Sequence, residues 1–145
     1  MDNRYDALLL KNQLCFPLYA ASREVVKKYT PYLNALDLTY TQYITMMVLW
    51  EEQEISAKVL GEKLFLDSGT LTPVLKALEK KGFVTRSRSR EDERVLFVAV
   101  TPEGMELREK AVEVPAALSS CVNIPPEDAA ALYQILYKLL GKDPT

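Results

Sequence analysis

Residues 56–100 leave few folds open. Ser56 is placed to cap a short helix ending near Leu64, and Asp67 to cap a second. In the second, Leu71, Val74, Leu75 and Leu78 recur at i, i+3, i+4 and i+7 up to a terminating Gly82. Two short helices joined so tightly predict a helix-turn-helix. Residues 83–88 and 95–100 follow, rich in β-formers and separated by the polar run 89–94, which predicts a hairpin. A hairpin directly behind a helix-turn-helix is a wing. The expected fold is therefore mainly α, a winged helix-turn-helix with residues 53–100 as its helix-turn-helix and wing.

The flanks are helical too. Leu10, Leu14, Leu18, Ala21 and Val25 form an apolar stripe running to about Lys28, and Pro17 requires that helix to start near Cys15 or to kink beside it. Thr30 as a cap and Pro31 as a first helical residue predict a separate short helix to about Leu36. Tyr43, Met46, Met47 and Trp50 predict a helix over about residues 41–52 with a buried face. Thr101 and Pro102 open a long helix carrying Leu107, Ala111, Val114 and Leu118, which Pro115 bends or ends. Residues 123–126 open a last helix bearing Leu132, Ile135, Leu136, Leu139 and Leu140, closed by Gly141. Residues 1–36 and 102–145 thus hold more amphipathic helix than a small core needs. A homodimer formed by these terminal helices is their expected use, within one winged-helix domain spanning 1–145.

Composition excludes several function classes. Of 145 residues, 48% are hydrophobic and 26% charged, which is globular rather than disordered usage. The longest proline-free apolar run is 95–100, and the start of the chain lacks a basic stretch followed by an apolar block, so a membrane span and a secretory leader are not expected. The expectation is a cytoplasmic protein whose two cysteines, Cys15 and Cys121, are reduced thiols. Histidine is absent, which removes the commonest metal ligand and general base, so no metal, cofactor or catalytic residue is expected.

Net charge is -2, but residues 1–57 carry -2, residues 58–100 carry +3 and residues 101–145 carry -3. On charge alone Lys76, Lys80, Lys81, Arg86, Arg88, Arg90 and Arg94 are a solvated surface stretch. On a winged helix they become a candidate interface with double-stranded DNA. Ser68, Thr70, Thr72 and Lys76 lie off the apolar stripe of the second helix, where small hydroxyls let a helix approach base edges and a cation meets phosphate. Arg86, Arg88 and Arg94 lie on the wing, which can enter a minor groove. Two-fold symmetry would match a pseudo-palindromic operator. Pro73 inside the second helix is not explained by the pattern.

The sequence resembles the multiple-antibiotic-resistance regulator (MarR) family of winged-helix repressors over essentially its whole length. The most specific match is in the wing: Asp92, Arg94, Thr101 and Gly104 fit that family's D-x-R-x(6)-T-x-x-G pattern, which makes Asp92 a wing-structuring residue. The run LCFPLYAASRE around Cys15, with LDSGTLTP at 66–73, is similar to the organic-hydroperoxide-sensing branch. The resemblance implies that Cys15 is the peroxide sensor and that Tyr29 and Tyr40 match tyrosines that hydrogen-bond its thiolate; Tyr19 lies one turn from Cys15 on the same helix. It also implies that Cys121, in the C-terminal helical region, is the resolving thiol of a two-cysteine member, paired with Cys15 of the partner subunit. Pro17 departs from the family pattern.

The chemistry stands beside the resemblance. A thiol attacks a peroxide as thiolate, which hydrogen-bond donors or a helix N-terminus stabilise, and apolar neighbours such as Leu14, Phe16 and Leu18 favour an organic hydroperoxide. Oxidation gives a sulfenic acid that condenses with a second thiol to a disulfide or, lacking one, with a small external thiol. The bland alternative is that Cys15 is a small buried hydrophobe and Cys121 a passive loop residue. The functional alternatives are a repressor of the same family released by a small aromatic ligand and a thiol peroxidase. The expected function is a DNA-binding repressor that an organic hydroperoxide releases, not an enzyme.

Overall fold

The computed structural model describes residues 3–144; residues 1, 2 and 145, at the outer ends of the expected dimerisation segments, lie outside them. The chain divides into two compact units between Val114 and Pro115.

The first unit opens with two 3-10 turns, Arg4–Leu8 and Leu10–Asn12, and then α1 (Cys15–Asn34). The helix begins at Cys15 because Pro17 lacks an N–H, a loss that costs nothing in a first turn whose amides have no helical partner. Leu10 and Leu14 therefore precede the helix instead of extending its stripe. A second correction concerns Thr30 and Pro31, which open no new helix. Pro31 sits inside α1. Its missing N–H leaves the Lys27 carbonyl without a helical donor, but continuing the helix carries Leu33 into the core at 2% exposure.

Thr39 caps α2 (Tyr40–Glu52) through a capping box, its hydroxyl accepting from the Gln42 amide at 3.2 Å and the Gln42 side chain accepting from the Thr39 amide at 3.1 Å. Its inner face is Tyr43, Met46 and Leu49 with Thr45, whose hydroxyl donates to the Thr41 carbonyl at 2.7 Å. Met47, expected in that face, is exposed, because the helix turns it away from the side that Met46 and Leu49 define.

Ser56 caps α3 (Ala57–Leu64) and Asp67 caps α4 (Ser68–Lys80), as the sequence predicts, and Phe65 ends α3 in the left-handed region. Leu60 of α3 and Leu71, Leu75 and Leu78 of α4 are buried, each side chain contributing about 2 kcal/mol of transfer free energy. Gly82 at φ +85° makes the turn into the hairpin. The hairpin is β2 (Val84–Arg88) and β3 (Leu96–Val100), with Thr85 opposite Ala99 and Arg86 opposite Val98. The sequence reading lacks a third strand: β1 (Glu54–Ser56) pairs antiparallel with β3, giving the order β1-β3-β2. Three residues carry no readable alternation. α5 (Pro102–Ala111) follows, capped by Thr101.

The expected long helix stops at Ala111. The next helix, α6 (Val114–Cys121), starts one residue before Pro115, which cannot donate to the Ala111 carbonyl. In the second unit α7 (Pro126–Leu140) ends at Gly141, and its stripe of Leu132, Ile135, Leu139 and Leu140 is exposed, as is much of the α1 stripe. Rows of large apolar side chains left in water mark surfaces that associate.

Candidate nucleic-acid interface and thiol site

The N-terminus of α4 is fixed by Asp67, whose Oδ1 accepts from the Thr70 amide at 2.8 Å; that bond holds the Asp67 carboxyl below the usual carboxylate range. Ser68, Thr70, Thr72 and Lys76 are exposed, with Lys80 behind them. The Thr72 hydroxyl donates to the Ser68 carbonyl at 2.7 Å, so its proton is already engaged and the exposed oxygen can only accept further. Lys81 is turned to the other side. Its ammonium donates to the carbonyl oxygen of Asp37 and, at 2.9 Å, to Gln42 Oε1, tying the end of α4 to the turn between α1 and α2.

The wing is built around Asp92. Its Oδ1 accepts from the Arg94 amide at 3.0 Å and from Arg94 Nε at 3.1 Å, while Ser89 Oγ accepts from the Glu91 and Asp92 amides at 3.2 and 3.4 Å. The Arg94 guanidinium holds the Asp92 carboxyl below its ordinary range, and the Arg94 side chain is 92% exposed at the tip. Arg88 is exposed and donates to the Glu93 carbonyl at 3.4 Å.

Arg86 differs from the sequence expectation. Its side chain is 22% exposed, and Nη2 donates to Glu79 of α4 at 3.0 Å. It braces the wing against α4, because alternation along β2 turns residues 84 and 86 toward the helices and residues 85 and 87 outward. Glu79, half of this brace, is a residue that sequence reading missed; no periodicity links positions 79 and 86.

The thiol region lies on α1. Cys15 is the first helical residue and is exposed; Leu14 before it is 85% exposed, and Phe16 and Leu18 after it are exposed as well. No side chain caps this helix end, so its first amides face outward without a side-chain acceptor and favour an anion. Tyr19, one turn on, is held by Arg23, whose guanidinium stacks over the ring at 5.5 Å and whose Nη1 donates to the hydroxyl at 3.4 Å.

Tyr29 and Tyr40 are brought together, with ring centres 5.0 Å apart, and Tyr43 completes the cluster at 5.8 and 6.4 Å from them. Burial, and then Tyr29, raise the Tyr40 phenol above its ordinary value, so it stays a protonated donor at neutral pH. Tyr29 lies about four turns, roughly 21 Å, along α1 from Cys15. One chain therefore does not bring the tyrosines to its own thiol. A cleft of about 270 Å³ opens beside Tyr40, lined by Val26, Thr30, Leu33 and Leu38 among others. Cys121 ends α6 and is exposed. Among the described residues no cluster of acidic or thiol side chains could hold a metal ion, and no helix is long and apolar enough to cross a membrane.

Comparison with known proteins agrees with this geometry. Residues 27–111 match the family model of the transcriptional regulator SarA/Rot. The chain is 47% identical over 140 residues to the organic hydroperoxide resistance transcriptional regulator of Bacillus subtilis, covering 97% of this chain and 95% of that one. Among solved structures it is similar to AbfR, a protein of Staphylococcus epidermidis. The overoxidized, DNA-bound form of AbfR is 35% identical, with 96% and 98% of the two chains covered and a TM-score of 0.77. Its disulfide form is 37% identical, with 94% and 96% covered and a TM-score of 0.65. The chain belongs to the winged-helix transcriptional regulators of the SarA/Rot family, in the branch of the organic hydroperoxide resistance regulators.

Proposed function

We propose that this protein is a cytoplasmic homodimer that represses transcription by binding a pseudo-palindromic operator, and that an organic hydroperoxide releases it by oxidising Cys15. Ser68, Thr70, Thr72 and Lys76 meet the major groove and its phosphates, Arg94 enters the minor groove, Arg88 meets the backbone beside it, and Arg86 holds the wing in place. The Cys15 thiolate attacks one peroxide oxygen; the O–O bond breaks, the alcohol leaves with a proton, and the sulfur is oxidised to a sulfenic acid. The thiol of Cys121 of the partner subunit then displaces water to form a disulfide. Tyr29 and Tyr40 of one subunit donate to the thiolate of the other, and Tyr19 flanks it.

The observation that carries this reading is the placement of Cys15. It is an exposed thiol at an uncapped helix start, surrounded by exposed apolar side chains that would receive the organic part of a hydroperoxide. A thiol peroxidase would have no use for the Asp92–Arg94 tip.

The test is fluorescence anisotropy of the reduced protein on its upstream DNA, before and after about one equivalent of an organic hydroperoxide and then a reductant, with Cys15→Ser and Cys121→Ser alongside. Reversible release that Cys15→Ser abolishes is expected. Tight binding that no hydroperoxide disturbs would overturn the sensing role.

A further inference from the structure

The α4 helix carries two residues that its own fold does not require. At 100° per residue, the buried Leu71, Leu75 and Leu78 define one side, and the exposed Gly69, Pro73, Lys76 and Lys80 lie on the opposite one. Pro73 sits beyond the first turn, where its missing N–H strips the Gly69 carbonyl of its helix bond and its ring crowds that carbonyl, the largest penalty a single residue type imposes on a helix. Being exposed, it returns nothing through core packing. Gly69 weakens the same turn. Its φ is not in the left-handed region, and a Cβ there would meet nothing nearer than Asp67 Oδ1 at 3.4 Å, so alanine would fit. Two helix-weakening residues one turn apart thus mark the middle of the outward face, with neither a turn nor a packing contact to account for them.

We infer that Pro73 is a base-reading residue whose ring packs on the C5-methyl group of a thymine in the major groove. The inference rests on the DNA-binding reading above and adds the base it selects. The exposed pyrrolidine has neither donor nor acceptor, and the thymine methyl is the one apolar group that projects from a base edge into that groove, where the nitrogen and oxygen atoms of the edges ask for hydrogen bonds. Gly69, one turn before, puts no side chain between the ring and the groove floor, and Lys76 and Lys80 follow on the same face to meet phosphates.

Replacing operator thymines one at a time by deoxyuridine removes only the methyl group. Anisotropy titrations with wild type, Pro73→Ala and Pro73→Gly should identify one symmetry-related pair of thymines at which wild type weakens about fourfold per position, the factor for exposing one methyl-sized group. Pro73→Gly should be indifferent there, and Pro73→Ala less sensitive than wild type. Pro73→Ala should also melt at a higher temperature. If Pro73→Gly does not fold, Pro73→Ala carries the same comparison. An unchanged deoxyuridine profile in the variants, or a lower melting temperature for Pro73→Ala, overturns the assignment. A scrambled duplex separates the two readings: wild type that prefers the operator while the profile is unchanged loses only the Pro73 contact, whereas wild type without that preference loses the DNA-binding reading and this inference together.

Discussion

Arg86 of β2 and Glu79 of α4 face each other at 3.0 Å, so the wing and the helix proposed to read bases are joined by one ion pair. The same contact holds the Glu79 carboxyl below its ordinary range. Glu79→Ala removes the acceptor, and with it the brace, while making the DNA-facing region more positive. If Arg86 acts by positioning, operator affinity falls by about threefold despite the gain in charge. A rise in affinity would show that the freed guanidinium binds phosphate directly.

Asp92 and Arg94 are separable in the same way. Arg94→Ala should weaken operator binding by about tenfold and reduce the slope of log affinity against log salt by about one per subunit. Asp92→Ala leaves the cation but releases its amide and Nε bonds. A smaller loss with an unchanged salt slope is expected. Titrations at several salt concentrations check both, and equal slopes in wild type and Arg94→Ala would remove Arg94 from the DNA.

Much of this was legible in the sequence because caps and apolar spacing are local. Asp67, Ser56 and Thr101 each cap as their side chains allow, and in the stripe of α4 Leu71, Leu75 and Leu78 are buried where the period predicts, with Val74 half-buried. What escaped depends on contacts distant in the chain. Trp50 Nε1 donates to the Gly104 carbonyl at 2.8 Å, and a Cβ on Gly104 would lie 2.3 Å from the Phe83 carbonyl oxygen. The motif glycine therefore marks close packing of α5 on the hairpin, which no spacing reveals. Pro31 misled for the opposite reason: its local preference for starting a helix was overridden by the burial of Leu33.

The tyrosine cluster should show itself at alkaline pH. Burial raises the phenols of both Tyr40 and Tyr43, so folding favours their protonated forms. That contribution to stability is complete below the unfolded value of about 10 and is lost as pH rises through the higher folded values. Urea unfolding between about pH 9 and 11 should therefore show stability falling, and Tyr40→Phe should flatten the fall. An identical alkaline limb in the variant would mean that Tyr40 is not held neutral by the fold.

The separation of Cys15 from Tyr29 along α1 makes a prediction about subunits. If each sensing site combines Cys15 of one chain with Tyr29 and Tyr40 of the other, a heterodimer of a Cys15→Ser chain and a chain carrying Tyr29→Phe and Tyr40→Phe contains one fully intact site. The second chain supplies the thiol and the first supplies both phenols. Its single Cys15 thiol should then oxidise at the wild-type rate, whereas the Tyr29→Phe, Tyr40→Phe homodimer oxidises about tenfold more slowly, the order of one charge-assisted hydrogen bond. Differently tagged chains, purified as the mixed dimer and followed by trapping of the sulfenic acid, provide the measurement. A heterodimer as slow as the tyrosine-variant homodimer would confine the phenols to their own chain, where the roughly 21 Å along α1 leaves them out of reach of the thiol.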